Sequence, residues 1–244
     1  NVIDNIKISS NAKEFLSASY YMADPKDENY IDYVVVNKFT DDQKVIILSG
    51  TPQIEIYELL YPGRVKVYDI SNVLNEGKII QYTHKSYSRS TLKDSDQDEI
   101  RSFVGDIPII TFKKNINTFN DAGLEIYYGR STGSNDLTGQ DICVLGTPHI
   151  NEIGYKMIGA ELGIDVNADD CKMSMQKVEW NGLKFRFNTY ENPHLRAIQL
   201  RKIESELLQA IARARGLRHK VTVTVFSNFA LSVSNELNNG IPQV

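Results

Sequence analysis

Gln209 and Arg213 stand four residues apart and Arg215 follows two later, inside the run Leu-Leu-Gln-Ala-Ile-Ala-Arg-Ala-Arg-Gly-Leu-Arg that ends at Arg218. At helical spacing an amide and a guanidinium one turn apart leave the same face of a rigid element. A guanidinium presents a planar fork of donors that matches a phosphate bidentately, so the pair has the chemistry to grip a nucleotide phosphate. The same residues also suit a plainer role: arginine near a helix C-terminus complements the macrodipole, and a polar stripe is the ordinary form of a solvated face.

Further candidates follow apolar runs. Ser49-Gly50-Thr51 follows residues 44–48, Thr111 lies near the end of 107–112 with Lys113 just after it, the segment 129–135 follows 124–128, and Thr147 follows 141–145. Ligands of open α/β sheets sit outside the carboxyl ends of the strands. Ser49, Thr111, the 129–135 loop and Thr147 are therefore expected to line one rim.

Some chemistry is missing. A phosphate-cradling loop needs Gly-x-x-x-x-Gly-Lys-Ser/Thr. The one Gly-Lys pair, Gly77-Lys78, continues into Ile79, and the position five before Gly77 is Asn72. Asp98-Glu99 follows Gln97 in a polar stretch rather than closing an apolar strand, so it is no magnesium-binding acidic pair. Cys143 and Cys171 have neither a disulfide framework nor metal-ligand spacing. His84, His149, His194 and His219 are scattered.

The elements that must position these groups read as follows. Asn192-Pro193 is a helix start, with Asn capping and Pro at the first position. Leu200, Ile203, Leu207, Ile211 and Ala214 then share one buried face, with Gly216 as the expected left-handed stop. Lys202, Glu206, Gln209 and Arg213 fall on another face. Upstream, 10–22 and 53–60 read as helices, with strands at 30–36, 44–48, 65–70 and 78–83. Residues 84–98 form a loop whose acidic run is solvated, leading to a helix that reaches Phe103. Strands follow at 107–112, 124–128 and 141–145, then a helix at 151–162 stopped by Gly163. Asn181-Gly182 marks a hairpin over 173–190, with Trp180, Leu183, Val178, Phe185 and Phe187 on one face. The last strand, 220–227, alternates Val221, Val223 and Val225 with Thr222 and Thr224.

Strands alternating with helices predict an α/β three-layer sandwich with a mostly parallel sheet. The 244 residues suffice for one large domain or two small ones. Net charge is −4, which opposes a dedicated nucleic-acid-binding module, although residues 195–220 gather seven Lys or Arg against Glu204 and Glu206. No apolar run is long enough to span a membrane. No signal peptide is visible at Asn1, the chain lacks an initiator Met and reads as a fragment, and the thiols are expected to be reduced in a cytoplasmic protein.

The order of motifs over residues 44–227 resembles superfamily 2 helicases, from the end of the first RecA-like domain through the whole second one. Ser49-Gly50-Thr51 is similar to the Ser-Ala-Thr motif that couples the domains. Ile110-Thr111-Phe112-Lys113 resembles the strand that opens nucleic-acid contact. Gly133-Ser134-Asn135, followed by Asp141-Ile-Cys-Val-Leu, is similar to the loop and strand that follow the bound backbone. Gln209-Ala-Ile-Ala-Arg213-Ala-Arg215 resembles the Gln-x-x-Gly-Arg-x-Arg finger motif, with Ala212 in place of its Gly and Gly216 at the alternative site of the second finger. The resemblance implies a RecA-like fold of P-loop NTPase type with a β-hairpin insertion at 173–190. Residues 1–60 would be the tail of the first domain and 61–244 the second. It implies Arg213, Arg215 and Gln209 as catalytic groups, and Thr111, Lys113, Gly133, Ser134 and Asn135 as nucleic-acid contacts. ATP and Mg2+ would be bound only with an upstream RecA-like domain of the same polypeptide, and the track would be single-stranded nucleic acid, DNA rather than RNA. A phage or mobile-element replication helicase fits this pattern. Two other readings stay open: a non-enzymatic α/β scaffold or partner-binding module, and a nucleotide-dependent enzyme using the 129–135 loop.

Overall fold

The computed structural model describes residues 10–24, 27–35, 39–70, 75–120, 125–130 and 135–238. The chain divides into two compact units. The first joins residues 1–67 to 150–172 and 190–198; the second holds 68–149, 173–189 and 199–244.

In the first unit α1 (Ser10–Phe15) precedes an antiparallel pair, β1 (Tyr20–Asp24) and β2 (Asp27–Val34). The helix expected over 10–22 is thus cut short. Tyr20 and Tyr21 belong to the strand, where aromatic residues are favoured, and Phe15 packs edge-on against Tyr21 and Tyr33. Helix α2 (Ile54–Leu60) follows, and α5 (Glu152–Glu161) packs on β1 and β2. The strand expected at 44–48 does not form: Val45, Ile46, Ile47 and Leu48 are exposed, Leu48 at 93%. The strand expected at 65–70 is likewise absent, with Tyr68 and Ile70 exposed. Neither run finds a partner strand among the described residues, and an apolar run without a ladder partner is not a strand.

The second unit is built on five parallel strands, β3 (Lys78–Tyr82), β4 (Ile109–Ile110), β5 (Ile142–Leu145), β8 (Thr222–Phe226) and β9 (Glu236–Asn238), in the order β4-β5-β8-β3-β9. Helices α3 (Asp96–Val104), α4 (Ile116–Phe119) and α6 (Pro193–Ile211) flank the sheet; α6 begins in the first unit. All four residues of β5 are fully buried, as expected of a strand covered on both faces. β8 reads as alternating Val and Thr, yet Thr224 is buried as well because β8 is interior to the sheet. The segment 124–128 contributes only a single bridge, Tyr127 to Thr111, among its described residues.

Two local expectations hold in detail. Asn192 Oδ1 accepts from the N–H groups of His194 and Leu195 at 3.1 and 3.2 Å, capping α6. Strands β6 (Met173–Trp180) and β7 (Leu183–Tyr190) pair into a two-stranded sheet around Asn181 (φ 48°) and Gly182 (φ 80°), the left-handed pair of a type I′ turn. Val178 and Phe187 are buried, and Trp180 and Phe185 pack on the same core.

The end of α6 departs from expectation. Leu200, Ile203, Leu207, Ile211 and Ala214 are buried as the periodicity required. The helix passes through a short 3-10 turn, Ala212–Ala214, and the left-handed residue is Arg215 (φ 58°, ψ 40°), not Gly216. Gly216 serves close approach instead: a Cβ on Gly77 would lie 2.9 Å from Gly216 Cα, and the N–H groups of Glu76 and Gly77 both donate to Gly216 O.

Candidate functional site

The arginine motif sits at the amino-terminal edge of the parallel sheet. Gly216 is bound by the residues just before β3, and the Gly139 N–H, just before β5, donates to Ala214 O at 3.1 Å. Arg213 is only 9% exposed. Its Nε donates to Gln209 O at 3.0 Å, one turn back, so Gln209 engages it through the backbone while the Gln209 amide reaches Ser205 Oγ at 3.1 Å. Burial, then the neighbouring positive charge of Arg215, lowers the Arg213 pKa. Arg215 projects from its left-handed turn and its Nη2 donates to Asn135 Oδ1 at 2.8 Å.

Asn135 was expected on the rim with Thr111 and Thr147. Parallel topology forbids this. The chain between 124–128 and β5 must return to the amino-terminal edge before β5 begins, and Asn135 lies at the end of that return. Arg215 and Asn135 therefore stand together at one edge, while Thr111 and Thr147 follow the carboxyl ends of β4 and β5 at the other. A five-residue strand separates the edges by about 16 Å.

The remaining expected residues are dispersed. Thr111 is fully buried and its hydroxyl has no hydrogen-bond partner among the described residues, so it is closed to a passing strand. Lys113 is exposed, its Nζ 5.9 Å from the centre of the Tyr127 ring. Gly133 and Ser134 lie outside the described residues. Ser49, Gly50 and Thr51 belong to the first unit, where the Thr51 N–H donates to Ser49 Oγ at 3.1 Å.

The carboxyl-terminal edge carries a polar network. Thr147 Oγ1 donates to Ser86 O at 2.8 Å and lies 2.8 Å from Ser227 Oγ and 2.9 Å from Asn228 Oδ1. His84 Nε2 lies 3.0 Å from the Tyr87 hydroxyl, which reaches Glu99 at 3.5 Å. Tyr87 is fully buried at φ 45°, a left-handed conformation rare for a bulky side chain. Burial lowers the His84 pKa and raises that of Tyr87. The acidic run expected to be solvated is only partly so. Asp96 is buried; burial opposes its ionisation, but the Lys85 ammonium at 2.5 Å and the Lys93 N–H at 2.8 Å hold its carboxyl below the usual range. Beside this network the outer face of β7 presents Lys184 and Arg186.

The rim residues His84, Ser86 and Asn228 were missed in the sequence. Polar residues following an apolar run signalled Thr111 and Thr147, and the same rule applied to 78–83 and 220–227 selects these three. Among the described residues no three His, Cys, Asp or Glu side chains gather as a metal site, and no helix is long and apolar enough to cross a membrane. No family model, no curated protein and no solved structure matches this chain.

Proposed function

We propose that this chain is the C-terminal motor domain of an ATP-dependent nucleic-acid helicase or translocase of superfamily 2, with Arg213 as its arginine finger. The observation that carries the reading is the end of α6: Gln209, Arg213 and Arg215 close the helix that precedes β8, at one edge of a sheet compatible with a RecA-like sandwich. Arg213 is desolvated and feels the positive charge of Arg215, an arrangement suited to a multiply charged anion.

In this reading a partner RecA-like domain holds the triphosphate and its magnesium, which supply the transferring phosphoryl group. Arg213 stabilises charge developing on that group. Gln209 fixes the Arg213 side chain through its carbonyl, and Arg215, anchored on Asn135, stiffens the turn. Lys113 holds a phosphate of the track without reading sequence. The exposed run Val45–Ile46–Ile47–Leu48 before Ser49-Gly50-Thr51 suits a strand whose sheet belongs to that partner domain.

The competing reading, a non-enzymatic partner-binding module, draws on the burial of Arg213, whose Nε already serves Gln209 O. Measuring ATP turnover and single-strand binding of the isolated chain separates these. The motor reading expects binding of an oligonucleotide without turnover. Steady turnover stimulated by nucleic acid from this chain alone would sink it, and absence of any nucleic-acid binding would favour the module.

A further inference from the structure

The cleft over the carboxyl ends of β3 and β8 has no role in the motor reading. From β3 the chain leaves across β8 and β5 to β4, whereas from β8 it leaves past β3 to β9. Neighbouring strands whose connections leave in opposite directions form a switch point, and the crevice outside their carboxyl ends is where α/β sheets bind ligands. The cleft has a volume of about 490 Å3, within the range of ligand sites. His84, Ser86 and Asn228 line it from the strand ends; Met175, Lys184 and Arg186 line it from the hairpin.

Its charge is unbalanced. The two-residue turn of the hairpin sets 184 opposite 179 and 186 opposite 177, and the Lys184–Glu179 pair at 3.5 Å agrees with that register. Lys177 and Arg186 are therefore directly opposed on the exposed face, a like-charge pairing that costs stability. Among the described residues no carboxylate forms a salt bridge with either. Lys184 and Arg186 alternate along one strand and so stand about 6.6 Å apart, on the scale of neighbouring phosphates in an extended single strand. Lys177 carries the positive surface beyond the cleft itself, which suits a polyanion better than one phosphate.

We propose that this cleft and the outer face of β7 hold the sugar-phosphate backbone of a single-stranded nucleic acid. Lys184 and Arg186 take successive phosphates, Lys177 takes the next, and Ser86 and Asn228 meet the backbone at the strand ends. Thr147 holds Ser86 and Asn228 in place, and Tyr87 orients the His84 ring. This rests on the nucleic-acid half of the motor reading and is independent of ATP.

The test is anisotropy of a labelled oligothymidylate with the 244-residue chain, without ATP, over a salt series. Lys184→Glu with Arg186→Glu should weaken binding at least tenfold and lower the salt slope by about 1.4, two lost contacts at about 0.7 each. Lys172→Glu, an exposed cation of the first unit, should change neither. If the reversed pair perturbs folding, seen in the fluorescence of Trp180, the pair Lys184→Gln with Arg186→Gln should still lower the slope by the same amount. Parental affinity and slope in a folded variant would overturn the proposal. So would saturation by inorganic phosphate or a mononucleotide with no oligonucleotide bound. Since no outcome depends on turnover, failure of the motor reading leaves this result distinguishable.

Discussion

Arg215 and Asn135, 80 positions apart in sequence, meet in a 2.8 Å hydrogen bond that ties the end of α6 to the segment leading into β5. Arg215 makes it from a left-handed backbone, which only glycine adopts without cost. Arg215→Gly should therefore come close to break-even in urea denaturation, relief of the backbone offsetting a lost bond of about 1 kcal/mol. Arg215→Val, β-branched in the same conformation, should lose about 1–2 kcal/mol. Equal stabilities of the two variants would show that the turn is not strained.

Arg213 is buried against Gln209 O, so Arg213→Ala should cost about 1 kcal/mol of stability. Its larger effect is expected in turnover. In the protein assembled with its ATP-binding domain, kcat should fall by roughly a thousandfold while nucleotide affinity changes little. Arg213→Lys should rescue little, since an ammonium cannot reproduce the planar fork. Retention of more than about a tenth of the turnover, far above a finger's loss, would leave the residue a purely structural one.

Gly77 and Gly216 should respond unequally to Ala. A Cβ on Gly77 would meet backbone at 2.9 and 3.2 Å, whereas one on Gly216 first meets the side-chain oxygen of Asn75 at 3.1 Å. Gly77→Ala is expected to lose about 2 kcal/mol or more by overpacking, and Gly216→Ala less than about 1 kcal/mol. Denaturant midpoints of the two variants decide it.

Glu204 anchors the hairpin. Its carboxylate accepts from Trp180 Nε1 at 3.3 Å, Asn181 Nδ2 at 2.5 Å and Arg201 Nη1 at 3.3 Å, and the Arg201 guanidinium lies over the Trp180 ring at 4.8 Å. Glu204→Ala strands these donors and should cost about 2–3 kcal/mol. Trp180 is the one tryptophan of the chain, so a red shift of its emission reports loosening of the hairpin tip, and an unchanged spectrum would refute the anchor.

His149 stacks on Phe187 and contacts Gln199, and burial pushes its pKa down to about 4 from 6.5. The unfolded chain therefore binds a proton between those values that the folded chain refuses. Stability from this group is complete above about pH 6.5 and drains away as pH falls towards 4, on the order of 3 kcal/mol in all. Asp96, with its lowered pKa, adds acid sensitivity of the same sign at lower pH. His149→Gln should flatten the melting-temperature profile between pH 6.5 and 4; an unaltered slope would exclude His149 as its source.

Local signals were legible in the sequence wherever the structure they specify is local. Asn192-Pro193 caps α6, Asn181-Gly182 turns β6 into β7, and the i, i+4 periodicity of Leu200 to Ala214 selects the buried face, because each depends on residues within a turn or two. The continuous apolar run of β5 announced a strand covered on both sides. Tertiary structure decided the rest. Residues 44–48 read as well as β5 does, yet stay exposed, since a strand exists only where another backbone takes its hydrogen bonds. Asn135 reads as part of a rim loop, but the parallel crossover carries it to the opposite edge beside Arg215. His84, Ser86, Asn228, Lys184 and Arg186 come from three distant segments, and no spacing along the chain relates them. Sheet order brings the ends of β3 and β8 side by side, and packing of the hairpin on the core adds Lys184 and Arg186 to the same cleft.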